Sequence, residues 1–374
     1  MRKKIIFVTM IRSSSPNPTA SRLDSLDILR GLDLFLLVFL QPVIISLAAV
    51  WHPQWLNPVL YQLDHEVWVG FRCWDLVMPL FLFMTGAAMP FSFSKFRSDP
   101  AMPRWPLYRK ILRRFLILFL LGMIVQGNLL GLDPDHIFLY NNTLQAIAAG
   151  YLISALLLIN FKLRNQIIAT ILLLTVYSLP MSLTGDFSPE GNFAYKIDEL
   201  ILGHFRGDLS YTWIWSSLTF AVTVMLGVFA GQIIRPYREN PCRAALYLLA
   251  IGVALILSGY VWSFHTPIIK RLWTGSMTLL SGGFCFVLMA AFFYWIDVKG
   301  HHCGLDWLKI YGMNSITAYI LGETINFRSV AASLSYGLQP YLGAYYDAWL
   351  TFANFLIIFL ILRFLFRNRI FLKI

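Results

Sequence analysis

The stretch "LDHEVWVGFRCWDLVMPLFLFMTGAAMPFSFSKFR", Leu63 to Arg97, decides the fold. Between Leu76 and Ser94 it carries no charged residue. A hydrocarbon core roughly 30 Å thick asks for about 20 apolar residues per helix. The run is continuous rather than alternating, so it reads as a membrane helix and not a barrel strand, because a helix satisfies its own backbone hydrogen bonds in lipid. Immediately before it stand His65, Trp68 and Asp75. A plain loop at the lipid boundary needs only polar or interfacial residues. A titratable pair there is either incidental or does chemistry at the edge of a membrane.

The rest of the chain repeats the pattern. Its 374 residues are 58% hydrophobic, 16% aromatic and only 13% charged, far more apolar than a soluble domain of this length requires. Apolar runs at about 31–51, 74–94, 111–130, 143–161, 166–184, 212–234, 243–263, 272–296, 307–328 and 346–366 predict an all-α polytopic membrane helical bundle of about ten transmembrane helices. No soluble domain is visible, so 23–374 is expected to form a single transmembrane domain. The opening "MRKKIIFVTMIRSSSPNPTA" has a basic start but too short an apolar part for a signal peptide, so 1–22 is expected to be a disordered cytoplasmic arm.

The formal net charge of +11 does not point to nucleic acid. With the N-terminus placed in the cytoplasm, the segments falling outside hold only Arg72, Lys196, Arg206, Lys270, Arg271 and Arg328 of the 30 Lys and Arg. That asymmetry predicts both termini inside. Four cysteines scattered at 73, 242, 285 and 303 make no disulfide framework. No HExxH or CxxC ligand pattern occurs, so no metal is expected, and no Walker loop or GxGxxG either. His52, His65, His136, His204 and His265 fall outside, His301 and His302 inside. The longest outer connection, about 185–211, is acidic and Gly-rich, and is expected to fold over the outer face.

Two readings of Asp75 stand at this point. A folded-back loop would let it pair with His65, ten residues earlier, fixing the ring tautomer and preparing the free nitrogen to accept a proton or an acyl group. Alternatively it caps the start of its helix. On the cytoplasmic side "RLDSLDILRGLDLF" sets Asp24, Asp27, Arg30 and Asp33 at the start of the first helix, with Asp27 and Arg30 spaced to pair. Arg113 and Arg114 in "RKILRRFLILF" are positive-inside residues that also suit phosphates. Gln145 in the fourth helix and Asn314, Ser315 and Glu323 in the ninth are polar groups within apolar helices. Amides there bond helix to helix or serve a site, and a carboxylate such as Glu323 is expected to line a cavity.

These pieces resemble a family, the membrane-bound heparan-alpha-glucosaminide N-acetyltransferases and their bacterial relatives. The resemblance spans nearly the whole chain through "RLDSLDILRG", "HEVWVGFRCWDLVMPLFLFMTG", "NTLQAIAAGYL", "SLTFAVTVMLGVFAG", "KRLWT", "YGMNSITAYIL" and "RNRIFLKI". The H-x-x-W-x-G run followed by D-L-V-x-P is the specific part. The resemblance implies transfer of acetyl from cytosolic acetyl-CoA to an amino sugar or glycan across a bacterial inner membrane. His65 matches the catalytic histidine and Asp75 its aspartate, Trp68 and Gly70 complete the motif, and Asp27 and Arg30 match the motif on the CoA side. Gln41 stands where the family enzyme has an asparagine, and Asp24 where the animal enzyme has a basic residue.

The acyltransferase this implies uses His65 as general base or acyl carrier with Asp75 orienting it, and Gln41 or Asn314 as oxyanion donors. Asp27, Arg30, Arg113 and Arg114 would serve CoA, and Trp68, Gly70, Gln145 and Glu323 the acceptor. The implied partners are the amino-sugar acceptor and the lipid bilayer, with a homodimer admitted and nucleic acid excluded. A second reading is an inner-membrane transporter of N-acetylglucosamine or N-acetylmuramic acid, in which Trp51, Trp55, Trp68, Trp74, Trp213 and Trp215 stack on sugar rings rather than forming an interfacial belt. No convincing internal repeat supports it. A purely structural protein is the third and weakest reading.

Overall fold

The computed structural model describes residues 23–94, 103–126, 137–207, 210–235 and 240–372; the arm expected over 1–22 lies outside them. Within these residues the chain is all-helical and contains eight helices long and apolar enough to cross a membrane. The all-α polytopic architecture expected from the hydropathy is the observed one. The described residues divide into two compact units, one formed by 23–53 with 302–372, the other by those between 54 and 301.

In the larger unit the elements are α2 (Asn57–Gln62), α3 (Cys73–Ser92), α4 (Trp105–Val125), α5 (Thr143–Asn160), α6 (Leu163–Thr184), α7 (Phe193–Leu202), α8 (Ser217–Ile234), α9 (Pro241–Ser263) and α10 (Gly275–Val298). Of the most apolar window of α8, 72% is buried, against 22% of α6 and 28% of α9, so α8 is the central helix and the other two present apolar faces outward. Helix α3 packs along α8. The approach is set by small residues: a Cβ on Gly86 would overlap the Val224 carbonyl, and one on Gly227 the Phe83 carbonyl. Such contacts replace a hydrophobic driving force that lipid does not supply between helices. Several starts are capped by side chains, Asn142 accepting from Leu144 N at 2.8 Å and Asn192 from Tyr195 N at 2.7 Å.

The smaller unit opens with α1 (Asp24–Trp51). Its middle turn, Leu36–Leu40, is π-helical, with Gln41 N donating to Leu36 O. The cause is Pro42, which has no N–H to give the carbonyl four residues back, so the ladder shifts by one residue just ahead of it. The rest comprises α11 (Leu308–Met313), α12 (Ser315–Thr324), α13 (Arg328–Ser335) and α14 (Tyr346–Arg367). Helices α1 and α11 meet backbone to backbone, since a Cβ on Gly31 would overlap the Leu308 carbonyl and one on Gly312 the Asp27 carbonyl. Lys309 on α11 bonds Asp24 at the start of α1, at 2.9 Å. The ninth expected span, 307–328, is not one helix. It breaks at Asn314, whose φ of −116° and ψ of 37° interrupt the ladder between α11 and α12. The third, α4, is a long helix whose first half carries Arg109, Lys110, Arg113 and Arg114.

Candidate functional site

The outer connection before α3 folds back as the pairing reading of Asp75 requires. His65 Nδ1 lies 2.9 Å from Asp75 Oδ1. The other carboxylate oxygen, Oδ2, accepts from Arg72 N at 3.0 Å and Glu66 N at 3.2 Å. Asp75 therefore does both things proposed for it: Oδ2 caps the first turn of α3 while Oδ1 holds the imidazole. The carboxylate is 1% exposed and the imidazole 43%, so the acid is sealed and the base is open to a reactant.

The loop carrying His65 is braced from several sides. Arg72 donates through Nε to Glu66 Oε2 at 2.8 Å and stacks on the Tyr61 ring, 3.9 Å from its centroid. The bond from Arg72 holds the Glu66 carboxyl below its usual range. Trp68 donates its indole N–H to Phe187 O at 2.9 Å and packs against a buried cluster of Tyr177, Met181, Ala194, Ile269 and Leu272. This ties the His65 loop to the outer connection after α6. Gly70 has φ of +139° and donates to Ile268 O at 2.9 Å. A side chain there would meet Glu66 Cγ at 2.9 Å, so glycine is required both by the backbone conformation and by the space.

A third charged group completes the cluster. Lys270 Nζ lies 2.9 Å from His65 Nδ1 and 3.3 Å from Asp75 Oδ1. Its side chain is 7% exposed, and burial pushes the ammonium down to about 8 against the pull of Asp75. The loop that carries it is fixed on both sides: Thr212 N donates to Arg271 O at 3.1 Å, Ser216 Oγ to Leu272 O at 2.9 Å, and the Tyr177 hydroxyl also to Leu272 O. Trp273, fully buried, adopts φ of +54°, a conformation a bulky residue tolerates only where its surroundings enforce it. Spacing along the chain offers no link from Lys270 to His65. The sole available signal was its place in the "KRLWT" piece of the resemblance, where it counted only as an outer cation.

The other candidates fall as follows. In the larger unit, Gln145 is fully buried and its amide is engaged by the backbone, donating to Leu139 O at 2.7 Å and accepting from Asn141 N at 2.9 Å, so it shapes the turn before α5. Arg113 is exposed on α4, and Arg114 covers the Tyr151 ring at 4.5 Å. In the smaller unit, Asp27 lies 3.9 Å from Arg30, the spacing-predicted pair. Gln41 follows the π turn, a feature frequent at functional positions. Asn314 is 2% exposed, and both polar atoms of its amide lack a hydrogen-bond partner among the described residues. Glu323 is exposed near the end of α12. The described residues contain no group of three or more His, Cys, Asp or Glu placed to hold a metal.

An all-helical, multi-pass membrane protein with an imidazole held by a buried carboxylate just ahead of a membrane helix is the class defined here. The family model for heparan-alpha-glucosaminide N-acetyltransferase, catalytic, matches residues 22–267, and the chain belongs to that family. The heparan-alpha-glucosaminide N-acetyltransferase of Mus musculus is 24% identical over 370 residues, covering 82% of this chain and 54% of the mouse protein. That of Homo sapiens is 24% identical over 367 residues, covering 80% and 52%. The chain thus spans about half the length of the curated relatives it matches.

Proposed function

We propose that this protein is a transmembrane acetyltransferase that takes acetyl from acetyl-CoA and delivers it to the amine of an amino sugar at the outer face of a bacterial inner membrane. The observation that carries the reading is the His65 Nδ1 to Asp75 Oδ1 contact of 2.9 Å, with the acid buried and the ring open. A ring that donates from Nδ1 to a carboxylate keeps a lone pair on Nε2. That lone pair removes a proton from the attacking amine or takes the acetyl group itself and passes it on.

The family favours this enzymatic reading over amino-sugar transport. Residue type supports the remaining assignments: Arg30 steadied by Asp27, and Arg113 and Arg114, offer guanidinium groups for CoA phosphates. Gln41 and Asn314 offer amide N–H donors for a developing oxyanion. Trp68 and Gly70 serve the acceptor by fixing the His65 loop, while exposed Glu323 and the engaged amide of Gln145 have weaker claims as acceptor contacts.

The test uses the purified protein in lipid nanodiscs with acetyl-CoA and glucosamine, following release of the free CoA thiol. Acceptor-dependent release that His65→Ala abolishes is expected. Undiminished release in a folded His65→Ala protein would end the assignment, and acceptor uptake into proteoliposomes without acetyl-CoA would revive the transporter.

A further inference from the structure

Helix α4 turns two unlike sides to its surroundings. Leu107, Ile111, Leu118 and Gly122 are buried, and at about 100° per residue they fall on one side of the helix. Arg114 lies at the edge of that side, over the Tyr151 ring of α5. The opposite side holds Trp105, Leu112, Leu116, Leu120 and Ile124, each between 48% and 73% exposed. Arg109 and Arg113 lie among them and are exposed as well. From Phe115 to Val125 the helix has no charged residue, so the exposed leucines of that half face hydrocarbon.

Two contacts set the depth of the arginines. Tyr108 donates to Asn160 Oδ1 at 2.7 Å, and Asn160 is the last residue of the membrane span α5. Near the other end, a Cβ on Gly122 would meet Gln145 Cγ at 2.6 Å. The two helices are therefore antiparallel, and Arg109 stands level with the end of a span, where lipid headgroups begin. Arg113 is one turn further in, about 6 Å at a rise of 1.5 Å per residue. Helical side chains lean toward the N-terminus, which here is the headgroup end, so a long arginine covers that distance. Four residues apart, the two guanidinium groups are neighbours on the helix surface.

The helix has no carboxylate of its own, and among the described residues neither Arg109 nor Arg113 has an ion-pair or hydrogen-bond partner. From this arrangement we propose that Arg109 and Arg113 form a binding site for the phosphate of an anionic phospholipid, with Trp105 at the headgroup rim and Leu112 and Leu116 against the acyl chains. Guanidinium groups suit a phosphate through paired N–H donors. Two cations call for a lipid with net negative charge, because the amine of a zwitterionic headgroup would be repelled. The leucines continuing down the same side favour a lipid over a free phosphate. Of the two guanidinium groups offered to CoA, Arg114 is then the one that remains for it.

Lipid binding is read without acetyl transfer, so this inference stands or falls separately from the proposed function. The full chain in detergent would be followed by native mass spectrometry with phosphatidylglycerol and phosphatidylcholine as probes. Wild type is expected to retain one phosphatidylglycerol under conditions that strip phosphatidylcholine. Arg109→Gln combined with Arg113→Gln should weaken phosphatidylglycerol binding about 30-fold, the loss expected for two cations at a membrane surface. Arg109→Lys with Arg113→Lys keeps both charges and should hold most of the affinity, which keeps the test available should the glutamine variant misfold. Arg243→Gln with Lys299→Gln removes two exposed charges elsewhere in the larger unit and should change nothing. An equal loss in that control, or equal retention of both lipids by wild type, overturns the proposal. Displacement of phosphatidylglycerol by millimolar inorganic phosphate would make the site one for free anions and overturn it too.

Discussion

Lys270 and His65 stand 205 residues apart in the chain and 2.9 Å apart in space. Together with Asp75 they make a three-member cluster in which the lysine and the carboxylate are buried and only the imidazole is open. General acid-base groups of this kind contribute about 10²–10⁴-fold to rate. His65→Ala is therefore expected to lower acetyl transfer by at least about 100-fold, with unchanged circular dichroism and retained acetyl-CoA binding by calorimetry. Loss of CoA binding in that variant would place the residue in cofactor recognition instead.

Asp75→Asn is expected to cost both rate and stability. All four of its close partners, the Arg72 and Glu66 amides, His65 and Lys270, are donors or can be. An asparagine must turn its NH2 toward one pair of them whichever way it flips. Leaving buried donors unmet costs about 1–3 kcal/mol, visible as a lower thermal midpoint, and the rate falls because the imidazole loses its acceptor. A midpoint equal to wild type would mean the contacts at Oδ2 contribute nothing.

Gly70→Ala should fail for two separable reasons, its φ of +139° and the approach of Glu66 Cγ to within 2.9 Å of the new Cβ. Adding Glu66→Ala relieves the second and not the first. The double variant is expected to recover part of the lost thermal stability and little of the activity, because Arg72 then loses the nearer of its two carboxylate partners, Glu66 at 2.8 Å against Asp64 at 3.6 Å. Full recovery of both would show that the backbone conformation is not needed.

The pH dependence of stability carries the sign of the Lys270 shift. Burial lowers its pKa from 10.5 to about 8 in the folded chain. Between those values the unfolded chain binds the extra proton, so stability rises with pH across about 8 to 10.5 and is flat from this group below 8. Thermal unfolding in nanodiscs over that window should show the rise in wild type and lose it in Lys270→Met. An equal rise in both would assign it to another group.

Much of this was legible in the sequence, and the limits have physical causes. Continuous apolar runs gave the helical membrane architecture, because length and hydropathy are what a bilayer reads. The break at Asn314 escaped, since one residue leaving helical geometry barely alters the apolar pattern on either side. The pairing of His65 with Asp75 could be framed as a choice, and the structure dissolves the choice by giving each carboxylate oxygen its own task. Lys270 was invisible as a partner because its contact is long-range and rests on a loop shape set by Trp273, which no local periodicity encodes. Gln145 reads as a candidate for the acceptor, and the structure adds that its amide closes the turn before α5, a bond no local pattern signals.

Gly31→Ala is expected to disrupt the smaller unit. The new methyl would collide with the Leu308 carbonyl, a backbone atom that cannot turn aside, so α1 and α11 must separate. A lower thermal midpoint is the outcome expected, and a midpoint equal to wild type would show that α1 and α11 do not meet at Gly31.

That same backbone contact bears on how the protein is made. The smaller unit is assembled from two separate segments, 23–53 and 302–372, with the larger one encoded between them. Synthesis runs from N- to C-terminus, so α1, carrying Asp24, Asp27 and Asp33, is made before the larger unit and waits for α11 until that unit has been translated. During that interval its glycine face has no partner helix. A stop codon within the larger unit would therefore deny Gly31 the Leu308 backbone it packs against, so a truncation far from α1 in sequence removes the contact that α1 makes through its glycine.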